Sequence, residues 1–182
     1  MNIFKKALSY VLILAVLISA FPAAVFAEED EYRISNQYMS FTFNQKTGGF
    51  AIETAEGNPQ KTLDNDIPLL YAEDKERSSG TSFITVRIGD DDYIFGQNYA
   101  FFGIDSSLGT VKVSNEQRLI EIPWTIKGIT VTLTAALDND TQSKTTGNVG
   151  LSFKVENNSG KDENVSIRLL LDTALGNRID AP

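Results

Sequence analysis

Ile129-Thr130-Val131-Thr132-Leu133-Thr134-Ala135 alternates three threonines with apolar side chains, and this stretch decides the fold class. Successive side chains of an extended strand point to opposite faces, so the period of two places the aliphatics on one face and the threonines on the other. β-Branched residues also favour a pleated, half-buried surface. Just before it, Leu119 to Ile126 alternates in the same way, and Lys127-Gly128 between the two makes a turn, so residues 119 to 135 read as an antiparallel hairpin.

The same pattern recurs along the chain. Met39-Ser40-Phe41-Thr42-Phe43, a turn at Lys46-Thr47-Gly48-Gly49 and Phe50-Ala51-Ile52 make a second hairpin with one core face and one wet face. Phe83 to Ile88 and Tyr93-Ile94-Phe95 flank Gly89-Asp90-Asp91-Asp92, a third hairpin with an acidic tip. Val149 to Glu156 and Val165 to Leu171, separated by Asn157-Asn158-Ser159-Gly160-Lys161-Asp162, read as a fourth. About ten strands with hardly any helical periodicity predict an all-β, antiparallel sandwich or barrel, of which the sandwich is the expected form. A short helical turn is expected within Asp74 to Ser79, and residues 55 to 80, with Pro59 and Pro68, read as a long irregular connection.

The first 27 residues are not part of that pattern. Lys5-Lys6, an apolar run from Ala7 to Phe26 and the small residues up to Ala27, ahead of Glu28-Glu29-Asp30-Glu31, have the form of a secretory signal peptide cleaved after Ala27, the alternative being an uncleaved membrane anchor. The expected organisation is a signal peptide at 1–27 and a β-sandwich domain at 28–182. Removing residues 1–27, which carry two lysines and no acid, leaves 155 residues at a formal charge of −10. The expected location is therefore extracellular or at a bacterial cell surface, with no membrane association after cleavage. The acidic balance and the lack of clustered Lys and Arg argue against nucleic acid as a partner. The terminal Leu169 to Gly176 reads as a strand running into a structured loop, so the domain is expected to continue past Pro182 in a longer protein.

The chain has no histidine and no cysteine. That removes Ser-His-Asp and Cys-His catalysis, HExxH zinc chemistry and disulfide staples. Calcium needs only oxygen ligands, and closely spaced acids occur at Asp64-Asn65-Asp66, Asp90-Asp91-Asp92 and Asp138-Asn139-Asp140. Asp138 and Asp140 are the candidate calcium pair, although no cluster has EF-hand spacing and Asp and Asn are also ordinary turn formers. Glycoside hydrolysis needs two carboxylates across a cleft. Glu121 is the acid most embedded in apolar sequence, but alternation turns it away from Ile120 and Ile122.

Sugar binding asks for less: aromatic rings that stack on pyranose faces, with amides beside them. Phe95-Gly96-Gln97-Asn98-Tyr99-Ala100-Phe101-Phe102-Gly103 combines both, and Trp124 is the single tryptophan. Gln97, Asn98, Tyr99, Phe101 and Trp124 are the candidate ligand-binding residues. The competing expectation is that Phe101, Phe102 and Trp124 fill the core, where most aromatics go.

Two passages carry a family likeness. Ile34 to Phe43 with Thr47-Gly48-Gly49-Phe50-Ala51-Ile52 and the later Gly57 resembles the opening hairpin of galactose mutarotase-like β-supersandwich domains. Phe153 to Ser159, Val165 to Leu171 and Asp172 to Pro182 are similar to passages in uncharacterised secreted bacterial β-sandwich proteins. The resemblance implies a supersandwich-like architecture and an association with carbohydrate. It does not imply epimerase activity, because mutarotase-type catalysis uses histidines. The expected function is a secreted, non-catalytic module that binds polysaccharide. The alternatives are a fragment of a polysaccharide-active hydrolase or lyase and a purely structural adhesin-like module.

Overall fold

The computed structural model describes residues 31–55, 67–70, 81–114, 116, 118–139 and 147–174. In chain order the strands are β1 (Glu31–Ser35), β2 (Met39–Asn44), β3 (Phe50–Thr54), β4 (Phe83–Ile88), β5 (Asp91–Ile94), β6 (Ser106–Leu108), β7 (Lys112–Val113), β8 (Leu119–Ile126), β9 (Ile129–Asn139), β10 (Gly147–Asn157) and β11 (Val165–Leu170). They form three antiparallel sheets, ordered β1-β2-β3, β11-β4-β5 and β10-β9-β8-β6, with β7 also pairing β8. The chain is an all-β antiparallel sandwich, as the alternation predicts. The turn expected within Asp74 to Ser79 lies outside the described residues.

The two three-stranded sheets join where β5 ends. Gly49 bridges Phe83, and the Phe50 amide donates to the Ser82 carbonyl oxygen, so the start of β3 takes the place beside β4 that β5 has vacated. Against them lies the sheet built on β8 and β9. Ile120, Ile122, Trp124 and Ile126 of β8 and Ile129, Val131, Leu133 and Ala135 of β9 have no solvent exposure. They share one core with Phe41, Phe43, Phe50, Ile84, Val86 and Phe95. Each such side chain contributes about 1.5–3 kcal/mol by leaving water, which is why one parity of every central strand is apolar.

Turn chemistry sets the register. Lys127 and Gly128 both have positive φ, 50° and 78°, the requirement of a two-residue type I′ loop, and Ile126 pairs Ile129 across it. Gly89, at φ 60°, leads the two-residue loop between β4 and β5.

Two expectations are corrected. Val149–Glu156 and Val165–Leu171 do not pair with each other: β10 pairs β9, and β11 pairs β4 in the other sheet. The segment between them crosses the end of the sandwich, held by Asn158 N–H on the Gly128 carbonyl and by Gly89 N–H on the Asn164 carbonyl. The second correction concerns β2, whose polar face is not wet. Ser40, Thr42 and Glu53 are buried, and Glu53 Oε1 accepts from Arg33 Nη2 at 2.6 Å and from Ser40 Oγ at 2.9 Å. Mutual hydrogen bonding lets this face lie under cover.

Candidate functional site: an aromatic tip

The segment after β5 carries aromatic side chains from the core to the surface. Phe95 is fully buried and meets Phe43 at 5.7 Å and Trp124 at 5.6 Å, both edge to face. Trp124 lies 6.4 Å from Tyr99, Tyr99 lies 6.3 Å from Phe102, and Phe102 lies 5.4 Å from Phe101 in a T-shaped pair. Tyr93 packs on the side of the Tyr99 ring at 5.3 Å. The column ends in solvent: Phe102 is 71% exposed and Phe101 93%.

Local hydrogen bonds hold the tip. Gly96 has φ 84°, and a Cβ there would stand 2.6 Å from Cζ of Phe43, so only glycine lets the chain turn this closely over that ring. Gln97 Nε2 donates to the Thr47 carbonyl at 2.8 Å. Asn98 Oδ1 accepts from the Ala100 amide at 2.8 Å, and the Tyr99 amide donates to Ser106 Oγ at 2.6 Å. The Tyr99 hydroxyl accepts from the Ile94 amide at 2.7 Å. Ala100–Phe102 then make one 3-10 turn, closed by Gly103 at φ 70°. A turn this short has no room to bury both phenyl rings, and its fixed backbone keeps them presented.

Trp124 is a correction to the candidate set. Its indole has no solvent exposure, because it shares strand parity with Ile120, Ile122 and Ile126, and its ring cannot meet a ligand. Gln97 is spent on Thr47 and supplies the carbonyl that Trp124 bonds. Both are supports of the tip. Tyr99 is half-buried and anchors it, Asn98 and Phe101 are exposed, and Phe102 joins them as a surface residue. Two adjacent aromatics before a glycine, outside any alternating run, are the signal that marks Phe102, since a strand cannot send neighbours to the same face.

The acidic groups have other partners. Asp92 takes both oxygens to Arg87, at 2.7 Å each, and the guanidinium holds its carboxyl below the ordinary aspartate range. Asp91 Oδ2 accepts from Lys127 Nζ at 3.3 Å and from the Tyr93 hydroxyl at 3.2 Å. Lys127 Nζ also lies over the Tyr93 ring, and its pKa is raised first by the Tyr93 hydroxyl and then by the Asp91 carboxylate. Asp138 has its backbone in β9, opposite Asn148, while Asp140 and Asp64-Asn65-Asp66 lie outside the described residues. Among the described residues no group of three or more Asp, Glu, His or Cys is placed to hold a metal ion.

Comparison with family models, with curated proteins and with solved structures finds no match to this chain.

Proposed function

We propose that the chain is an exported, non-catalytic β-sandwich module of a bacterial extracellular or cell-surface protein, and that it binds polysaccharide through the tip formed by Asn98, Tyr99, Phe101 and Phe102. The observation that carries the reading is the 93% exposure of Phe101 on a backbone fixed by hydrogen bonds. Burying a phenylalanine stabilises a fold by about 1.5–3 kcal/mol, so two rings left in water represent contact energy that a ligand can use. Their faces suit the axial C–H face of a sugar ring, and the Asn98 amide supplies donors beside them. The signal-like leader and the supersandwich resemblance favour an extracellular carbohydrate over other flat apolar ligands.

A polysaccharide-cleaving enzyme is less well supported. Among the described residues Glu53 is the one buried acid, and it is tied to Arg33 and Ser40 inside a sheet, whereas glycoside hydrolysis uses two carboxyl groups, commonly one of them buried. The test is retention on a panel of insoluble glycans. The Phe101→Ala, Phe102→Ala double variant should elute with the void volume while melting within about 1 °C of the parent, as surface changes do. Equal retention of variant and parent on every matrix would remove the proposal.

A further inference from the structure

Burial of the core is uneven from edge to edge. The inward side chains of β8 and β9 are closed off from solvent, but those of β10 are not: Val149, Leu151 and Phe153 are half-buried and Val155 is 42% exposed. β11 shows the same fall, with Val165 and Ile167 half-buried and Leu169 more open. Both strands are the outer members of their sheets. The core is thus less covered at these two outer strands than at its centre, except at the Gly147 end of β10, where Tyr38 and Met39 pack closely.

The edges formed by β5, β6 and β7 are short or charged, which discourages strand addition. β5 has four residues and begins with Asp91 and Asp92, β6 has three and β7 two. β10 has eleven residues, no proline and no inward charge, and among the described residues nothing pairs its outer edge. A long edge of this kind with an apolar inward face is a template for another strand.

We propose that β10 pairs with β10 of a second copy of this chain, antiparallel about a two-fold axis at Ser152. The sequence of the strand fits itself in that register. Leu151 faces Phe153 of the partner subunit and Val149 faces Val155 of the partner subunit, so the inward faces of both copies meet apolar to apolar. On the outer face, Ser152 meets Ser152 of the partner subunit and Gly150 meets Lys154 of the partner subunit. Asn148 meets Glu156 of the partner subunit, so no like charges oppose. Ser152 is also the middle residue of the eleven, so this register pairs the full strand from Gly147 to Asn157. Two-fold pairing of one self-complementary patch is the commonest form of homodimer. It turns two five-stranded sheets, each four strand positions wide, into one that is eight positions wide, with β6 and the aromatic tip that precedes it at each outer rim. Seven strand spacings set the two rims about 34 Å apart.

The absence of cysteine from the native chain makes the register directly measurable. In sedimentation equilibrium the native protein should have the mass of a dimer, and Ser152→Lys, which sets two ammonium groups against each other at an exposed position, should have that of a monomer with an unchanged circular dichroism spectrum. Under mild oxidation Ser152→Cys should give a disulfide-linked dimer at many times the rate of Asn148→Cys, whose two copies would stand about 27 Å apart. A native protein that sediments as a monomer overturns the proposal, whether the edge is then covered by another polypeptide or by more of its own chain. Equal crosslinking of the two cysteine variants overturns it as well, and that measurement does not depend on Ser152→Lys folding.

Discussion

The indole Nε1–H of Trp124 donates to the carbonyl oxygen of Gln97 at 3.0 Å, tying the middle of β8 to the first residues of the aromatic tip. A buried donor with a single backbone acceptor couples the two groups: removing the indole leaves the carbonyl without its partner and opens space between Phe95 and Tyr99. Trp124→Phe should cost about 2–3 kcal/mol of unfolding free energy in urea titration, combining a lost buried hydrogen bond with a partial cavity. A loss below about 0.5 kcal/mol would mean that the tip and the strand are independent.

Gly96 is the second point at which the tip depends on the core. An alanine there must accept φ 84° and a Cβ 2.6 Å from the Phe43 ring. Gly96→Ala should destabilise by about 2 kcal/mol or more, whereas Gly103→Ala, with open space around its Cβ, should cost only the backbone strain of about 1 kcal/mol. Thermal melts of the two variants side by side check the order.

Arg33 and Glu53 differ in their access to water, with side chains 43% and 5% exposed. Removing the arginine takes a charged donor away from a covered carboxylate, while neutralising the carboxylate leaves an arginine that can reach solvent. Arg33→Ala should therefore cost more than Glu53→Gln, about 2–3 against about 1 kcal/mol. Chemical denaturation of both variants settles the ranking, and the reverse order would show that the guanidinium is the more confined of the two.

The Asp92 carboxyl, held low by its hydrogen bonds to Arg87, gives the fold a defined acid response. A depressed pKa in the native state stabilises above the unfolded aspartate value of about 3.9, and that contribution fades as pH falls through the lowered native value. Arg87 stays charged throughout. Asp92→Asn should lower the melting temperature near neutrality and leave it unchanged at the acid end, where parent and variant converge. Since the pair is exposed, added salt should shrink the gap.

Much of the sandwich is legible in the sequence because its hairpins are local. Lys127-Gly128 lies between two alternating runs, and chain connectivity alone pairs β8 with β9. Parity also sets Trp124 on the same face as Ile120, Ile122 and Ile126, which by itself is enough to bury the indole. Partner choice across the Asn158–Asn164 segment is not legible. A polar loop between two alternating runs looks the same whether the strands pair or part to opposite sheets, and that outcome rests on contacts with Gly128 and Gly89 far away in sequence. Ser40 and Thr42 mislead for a related reason. Alternation reports which face is polar, but the Glu53 and Arg33 side chains that satisfy that face come from neighbouring strands. At the tip, the residue types are legible and the direction of each ring is not, because a 3-10 turn has no period long enough to read.

The position of Trp124 also makes the chain its own optical probe. It is the single indole, dry and flanked by the Phe95 and Tyr99 rings, with the exposed phenyl groups one ring further out. Its emission should be blue-shifted in the folded chain and move to the red on unfolding, and a ligand that presses on Phe102 reaches it through Tyr99. One unlabelled fluorophore therefore reports on the integrity of the core and lies within reach of the proposed binding tip.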